Sequence, residues 1–191
     1  RAVAVTEYYD DLYEKSLAWR RGEVSLREAK KALIRCLASI NILEGIRFYG
    51  SFACSFAFAE RKLMEGNAKV IKMIARDEAV HLAATQQMFK IFREGRDDLE
   101  MQELVLELSD EIRQITLDAV EQEKDWADYL FQGGSMLGLN KKILVEYLEH
   151  IAGYLLRSGM IQSVRGSGGG YLLRKSGDDC TVGEILRGME G

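Results

Sequence analysis

The sequence predicts a mainly α-helical protein, a bundle of long helices followed by a short tail of different texture. Three observations point there. No proline occurs in 191 residues, so no position lacks a helical N–H donor by its chemistry. Apolar side chains recur three and four residues apart, and no strict apolar–polar alternation appears before residue 160. Capping residues and glycines fall where long helices would start and stop.

Taken in order, EYYDDLYEKSLAWRR reads as a first, shorter helix. Ser25 and Glu28 then form a capping box, each side chain satisfying a backbone N–H of the first turn. The run that follows, LREAKKALIRCLASINILEGIRFYGSFACSFAFAERKLMEG, would end at Gly66 and is one very long helix, or two joined at Gly45 or Gly50. Asn67 can cap a second long helix that stops at Gly95, and a third runs from about Leu99 to Phe131, before GGS. Asn140 caps KKILVEYLEHIAGYLLRS, which ends at Gly159. Beyond it, MIQSVRGSGGGYLLRK is two short β-type runs about a glycine-rich turn, and Thr181 with Glu184 caps a last short helix. The short connections between helices imply antiparallel neighbours.

Composition narrows the function. Hydrophobic residues make up 47% and charged residues 29%, a globular balance with room for one domain or two. A formal net charge of -4 argues against a protein devoted to nucleic acid, although Arg157, Arg165, Arg174 and Lys175 sit in a stretch without acidic residues. Cys36, Cys54 and Cys180 show no C-x-x-C spacing and read as reduced thiols. The longest apolar stretch, Phe48 to Ala59, is too short to cross a bilayer and no signal pattern opens the chain, so a cytoplasmic location is expected.

The chemistry-bearing pattern lies on the second and third of these segments. Glu78 and His81 are three residues apart, leave one helix face together and can reach one metal ion. Glu44 lies in an apolar run on the preceding helix, and Phe48, Phe52 and Phe56 follow it at four-residue steps, so its carboxylate sits where an unpaired charge is costly. A carboxylate on one helix facing Glu-x-x-His on its neighbour is half of a di-iron or di-manganese carboxylate site. By itself a Glu-x-x-His is as easily a solvated face.

The segments SINILEGIRFYGSFACSFAFAERKLMEGNAKVIKMIARDEAVHL and QEKDWADYLFQGGSMLGLNKKIL closely resemble the second half of the radical-generating small subunit of class I ribonucleotide reductases, over residues from about 6 to 150. The resemblance implies a partial ferritin-like helix bundle, an oxidoreductase component in the supply of deoxyribonucleotides for DNA replication, a homodimer, and the large catalytic subunit as partner. It implies iron or manganese held by Glu44, Glu78 and His81, a radical-shielding pocket of Phe48, Phe52 and Ile74, and Asp77 on the radical-transfer path. The family's other ligand set, an Asp and a second Glu-x-x-His with the radical tyrosine one turn on, has no counterpart here, since the only other histidine is His150. Three ligands do not hold two ions, so the chain alone is expected to be inactive, with weak, mononuclear or absent metal rather than a site rebuilt by pairing two copies.

The tail, EYLEHIAGYLLRSGMIQSVRGSGGGYLLRKSGDDCTVGEILRGMEG, resembles the recognition helix, wing and following helix of winged-helix regulators of the iron-sulphur-cluster type. That resemblance places Glu149 and Arg165 at DNA-contacting positions, with weak DNA binding expected. Divided this way, the chain is a helical domain over 1–146 and a winged-helix-like segment over 147–191, meeting inside one helix, as in a fused or recombined chain.

Overall fold

The computed structural model describes residues 2–156 other than Leu137, and its elements are helices. Helix α1 spans Ala2–Arg20, longer than the sequence pattern indicates because its weakly amphipathic start continues the helix upstream of Glu7. Helix α2, Leu26–Ile42, begins where the capping box puts it: the Ser25 hydroxyl accepts from the Glu28 N–H at 3.2 Å. α2 passes without a break through a π-helical turn, Leu43–Arg47, into α3, Phe48–Glu60. The Phe48 N–H reaches back to the Leu43 carbonyl, the i to i−5 bond that defines that turn.

Further helix boundaries differ from the sequence reading. α3 ends at Glu60, and the reversal uses Lys62 and Met64, both at positive φ (58° and 54°). α4 then runs Glu65–Glu94, so Gly66 lies inside its first turn and Asn67 caps nothing. Non-glycine residues at positive φ carry a local cost, which the packing of α3 on α4 offsets; that payment is invisible in a turn without glycine. The predicted 99–131 helix is two: α5, Leu99–Glu107, and α6, Ser109–Phe131, with Leu108 between them at φ -88°, ψ 1°. Leu104, Leu108 and Ile112 are all buried, and the break keeps each of them in one core. Gly95 ends α4 at φ 62°, Asp98 caps α5 and Asn140 caps α7, Lys141–Leu155, through its side chain to the Ile143 N–H at 3.0 Å. The predicted end of this last helix at Gly159, the hairpin and the final helix lie outside the described residues.

The antiparallel neighbours α1·α2, α3·α4 and α6·α7 make the largest contacts. One core joins the π-turn, α3, α4, α6 and α7 around Ile46, Phe52, Leu82, Leu144 and Leu148; a second joins α2, α4, α5 and the start of α6 around Ile34, Phe89, Leu104 and Ile112. Between α2 and the α5–α6 pair runs an ion-pair ladder: Lys30 to Asp98 and Glu100 (both 2.7 Å), Lys31 to Glu107 (2.8 Å) and a two-pronged Arg35 to Glu111 (2.6 and 2.9 Å). Deeper in, Arg47 of the π-turn meets the fully buried Glu123 of α6 at 3.1 Å and Gln122 at 2.8 Å, locking the turn against α6.

Candidate metal centre

The π-turn exists where the chain must bring a carboxylate close to two neighbouring helices. A Cβ on Gly45 would meet Leu155 Cδ1 at 2.7 Å and Leu82 Cδ1 at 3.2 Å, so glycine lets the turn sit this near α7 and α4 without moving the buried Leu155 side chain. Its neighbour Glu44 thereby faces α4. There Glu78 and His81, one turn apart, leave the helix on the same side, and His81 Nδ1 stands 3.2 Å from Glu78 and 3.7 Å from Glu44. One ligand atom from each of the three lies within 4.8 Å of the other two.

The electrostatics suit a cation. The two carboxylate side chains are mostly buried, at 13% and 15% exposed, whereas the imidazole is 58% exposed. Burial pushes the Glu44 carboxyl above its usual range; His81 opposes that shift and Glu78 adds to it. Glu44 Oε2 is buried and has no hydrogen-bond partner, an orphaned acceptor whose desolvation a bound cation would compensate. Two carboxylates and an imidazole are the donors that iron(II) and manganese(II) accept.

Supporting groups surround the triad. Asn41, one turn before Glu44 and fully buried, donates from Nδ2 to the hydroxyl of Thr85, one turn after His81. Thr85 in turn donates to the His81 and Leu82 carbonyls at 3.2 and 3.0 Å. Tyr49 donates to the Ala75 carbonyl at 3.3 Å, and burial raises its phenol pKa. Sequence reading missed Asn41 and Thr85, although polar residues one turn from each ligand were a usable signal.

The remaining predicted residues are spread more widely. Phe48 and Phe52 stack with centroids 6.0 Å apart beside the π-turn. Ile74, 37% exposed, and Asp77, also exposed, lie on the outer face of α4. Glu149 stands apart on α7, held by Lys124 at 2.7 Å, and Arg165 is outside the described residues.

Comparison with known proteins places the sequence in a family. A sequence model described as "Ribonucleotide reductase, small chain" matches residues 2–162, and one described as "Iron-dependent Transcriptional regulator" matches residues 136–191, so the two overlap across α7. The ribonucleoside-diphosphate reductase 1 subunit beta of Escherichia coli O157:H7 is 55% identical over 163 residues, covering 79% of this chain and 43% of its own length. The subunit beta of Haemophilus influenzae shows the same 55% identity and coverage, and that of Enterobacteria phage T4 is 36% identical over 172 residues, covering 79% and 44%. The chain thus spans less than half the length of these relatives.

Proposed function

Because the chain belongs to the ribonucleotide reductase small-chain family, we propose that it supplies one half of the di-metal centre of such a subunit, with Glu44, Glu78 and His81 as ligands to iron or manganese. The observation that carries this is the convergence of the three donors around the orphaned, buried Glu44 oxygen. When bound, a centre of this class supplies the redox chemistry that generates a protein radical. The chain's own residues do the rest: the π-turn and α4 orient the ligands, and Asn41 and Thr85 tie the two ligand segments together.

The relatives are named for ribonucleoside-diphosphate reduction, and this chain takes part in the same reaction once the rest of the ligand set is provided. Asp77 then lies on the path of radical transfer, Phe48, Phe52 and Ile74 line the radical's pocket, and the large subunit is the partner. Glu44, Glu78 and His81 alone leave a second ion without protein donors, so the reaction draws on a further ligand set. None of the described helices is long and apolar enough to cross a membrane.

Anaerobic titration with ferrous or manganous ion, followed by metal analysis after gel filtration, tests the site. Retained metal in the wild type, lost in Glu44→Gln and in His81→Ala with the helical content unchanged, is the expected result. A folded wild type that retains no metal refutes it.

The match of residues 136–191 to a transcriptional regulator favours a second role, DNA binding by a winged-helix-like segment over 147–191 through Glu149 and Arg165. The Lys124 ammonium that holds Glu149 competes with this role, and a net charge of -4 makes affinity weak and salt-sensitive. Fluorescence anisotropy with a palindromic duplex at two salt concentrations decides it, and no binding at low salt removes it.

A further inference from the structure

The charge pair of Arg47 and Glu123 differs from the ladder on α2. The ladder carboxylates are more than a third exposed, whereas the Arg47 and Glu123 side chains are 8% and 0% exposed. Arg47 Nη1 donates to Glu123 Oε1 at 3.1 Å and Nη2 to Gln122 Oε1 at 2.8 Å, so one guanidinium grips two successive residues of α6. The other carboxylate oxygen, Glu123 Oε2, points to the α3 backbone: a Cβ on Gly50 would stand 3.6 Å from it and 3.2 Å from Leu148 of α7. Elements of this chain, the π-turn, α3, α6 and α7, thus enclose the carboxylate.

Burying two opposite charges gives little net stability, because lost hydration offsets their attraction and well-packed apolar residues of similar size often do as well. What a buried pair does enforce is geometry. Moving either partner away leaves the other an uncompensated buried charge.

The π-turn needs such a constraint. It holds one residue more than an α-turn and so rotates the helix beyond it by about 100° relative to an unbroken α-helix. Exchanging an i−5 bond for an i−4 bond moves the turn along the chain by one residue; α2 and α3 keep their places, and the side chains that are crossed rotate. Leu43 and Ile46 are apolar, and apolar contact is not directional. The polar, buried residues Asn41 and Arg47 stand on either side. Asn41 donates to Thr85 of α4, and a turn displaced toward α2 would rotate it away; a turn displaced toward α3 would rotate Arg47 off Glu123.

We propose that the Arg47–Glu123 pair is a register lock that holds the π-turn at Leu43–Arg47 against displacement toward α3, with Asn41 and Thr85 as the opposing stop. The lock requires no bound ion. Glu44, inside the turn, faces α4 in the locked register. The close approach of Gly45 to Leu155 and Leu82 is the competing way to fix the same register, and the experiment separates the two.

The metal-free full chain is compared as wild type, Arg47→Met and Arg47→Met/Glu123→Leu. Heteronuclear NMR on the deuterated protein reads the scalar coupling across the hydrogen bond from the Phe48 N–H, which identifies its acceptor carbonyl, and urea unfolding reads stability. The wild type is expected to couple Phe48 to Leu43. The double variant is expected to keep a urea midpoint at or above that of wild type, while the Phe48 coupling passes to the Glu44 carbonyl or the amides of residues 43–48 split into two sets. Arg47→Met alone, which strands the Glu123 carboxylate, is expected to have a lower midpoint than the double variant. A double variant that retains the single Phe48–Leu43 coupling overturns the lock and gives the register to Gly45 and the apolar core. A double variant that fails to fold, or falls well below wild type, makes the pair a stabilising contact and overturns the lock as well. So does a wild type in which Phe48 couples to Glu44.

Discussion

Thr85→Val tests the link between α2 and α4 that sets the distance from Glu44 to His81. The substitution is nearly isosteric and keeps the β-branch, so helix propensity and packing change little. It removes the hydroxyl that accepts from Asn41 Nδ2. Asn41 is 0% exposed, Thr85 is 8% exposed, and Asn41 Oδ1 already has no partner, so the variant leaves a buried amide unsatisfied at both ends. Stranding a buried donor costs about 1–3 kcal/mol. Losing the Thr85 bonds to the His81 and Leu82 carbonyls adds little, because those carbonyls stay within the helix. With a urea m-value of about 2 kcal/mol/M, the midpoint falls by roughly 0.5–1.5 M at constant m. Removing both polar groups in Asn41→Leu/Thr85→Val is expected to recover most of the loss, since replacing both partners by apolar groups is nearly neutral, whereas Asn41→Leu alone does not. Metal affinity should fall in Thr85→Val and return in Thr85→Ser. A Thr85→Val midpoint within error of wild type, or single-variant losses that simply add in the double variant, refutes the link.

Further outcomes follow from the same structure. Gly45→Ala sets a Cβ against buried Leu155 and Leu82, and should cost about 1–3 kcal/mol of packing against a helix-propensity gain of about 1 kcal/mol, a net loss of up to about 2 kcal/mol read by urea unfolding. Glu44→Gln removes a carboxylate whose pKa burial raises, the case in which ionisation weakens the fold; the metal-free variant should therefore be more stable than wild type at neutral pH, with the difference vanishing as pH falls through the Glu44 pKa. The ladder carboxylates behave oppositely. Lys30 holds Asp98 and Glu100 below the usual carboxylate range, Lys31 does so for Glu107 and Arg35 for Glu111, so their stabilisation is present above pH about 4 and is lost as pH falls through the lowered values. Thermal midpoints between neutral and acidic pH should show that loss, smaller in high salt.

Much of the bundle is written locally. The capping box at Ser25, the glycine at Gly95 and the cap at Asn140 mark real helix ends, because each acts on backbone groups only a few residues away. The ligand pair Glu78 and His81 is local in the same sense, since helical geometry alone puts residues three apart on one face. What the sequence could not decide was set by distant contacts. The turn at Lys62 and Met64 uses positive φ without glycine, and the break at Leu108 serves a core shared with α2 and α4. The π-turn, the meeting of Glu44 with Glu78 and His81, and the Asn41–Thr85 bond depend on how α2 and α3 lie against α4, α6 and α7. Local chemistry chooses the ligands and the helices that carry them; only the packing of side chains far apart in sequence determines how closely those helices approach.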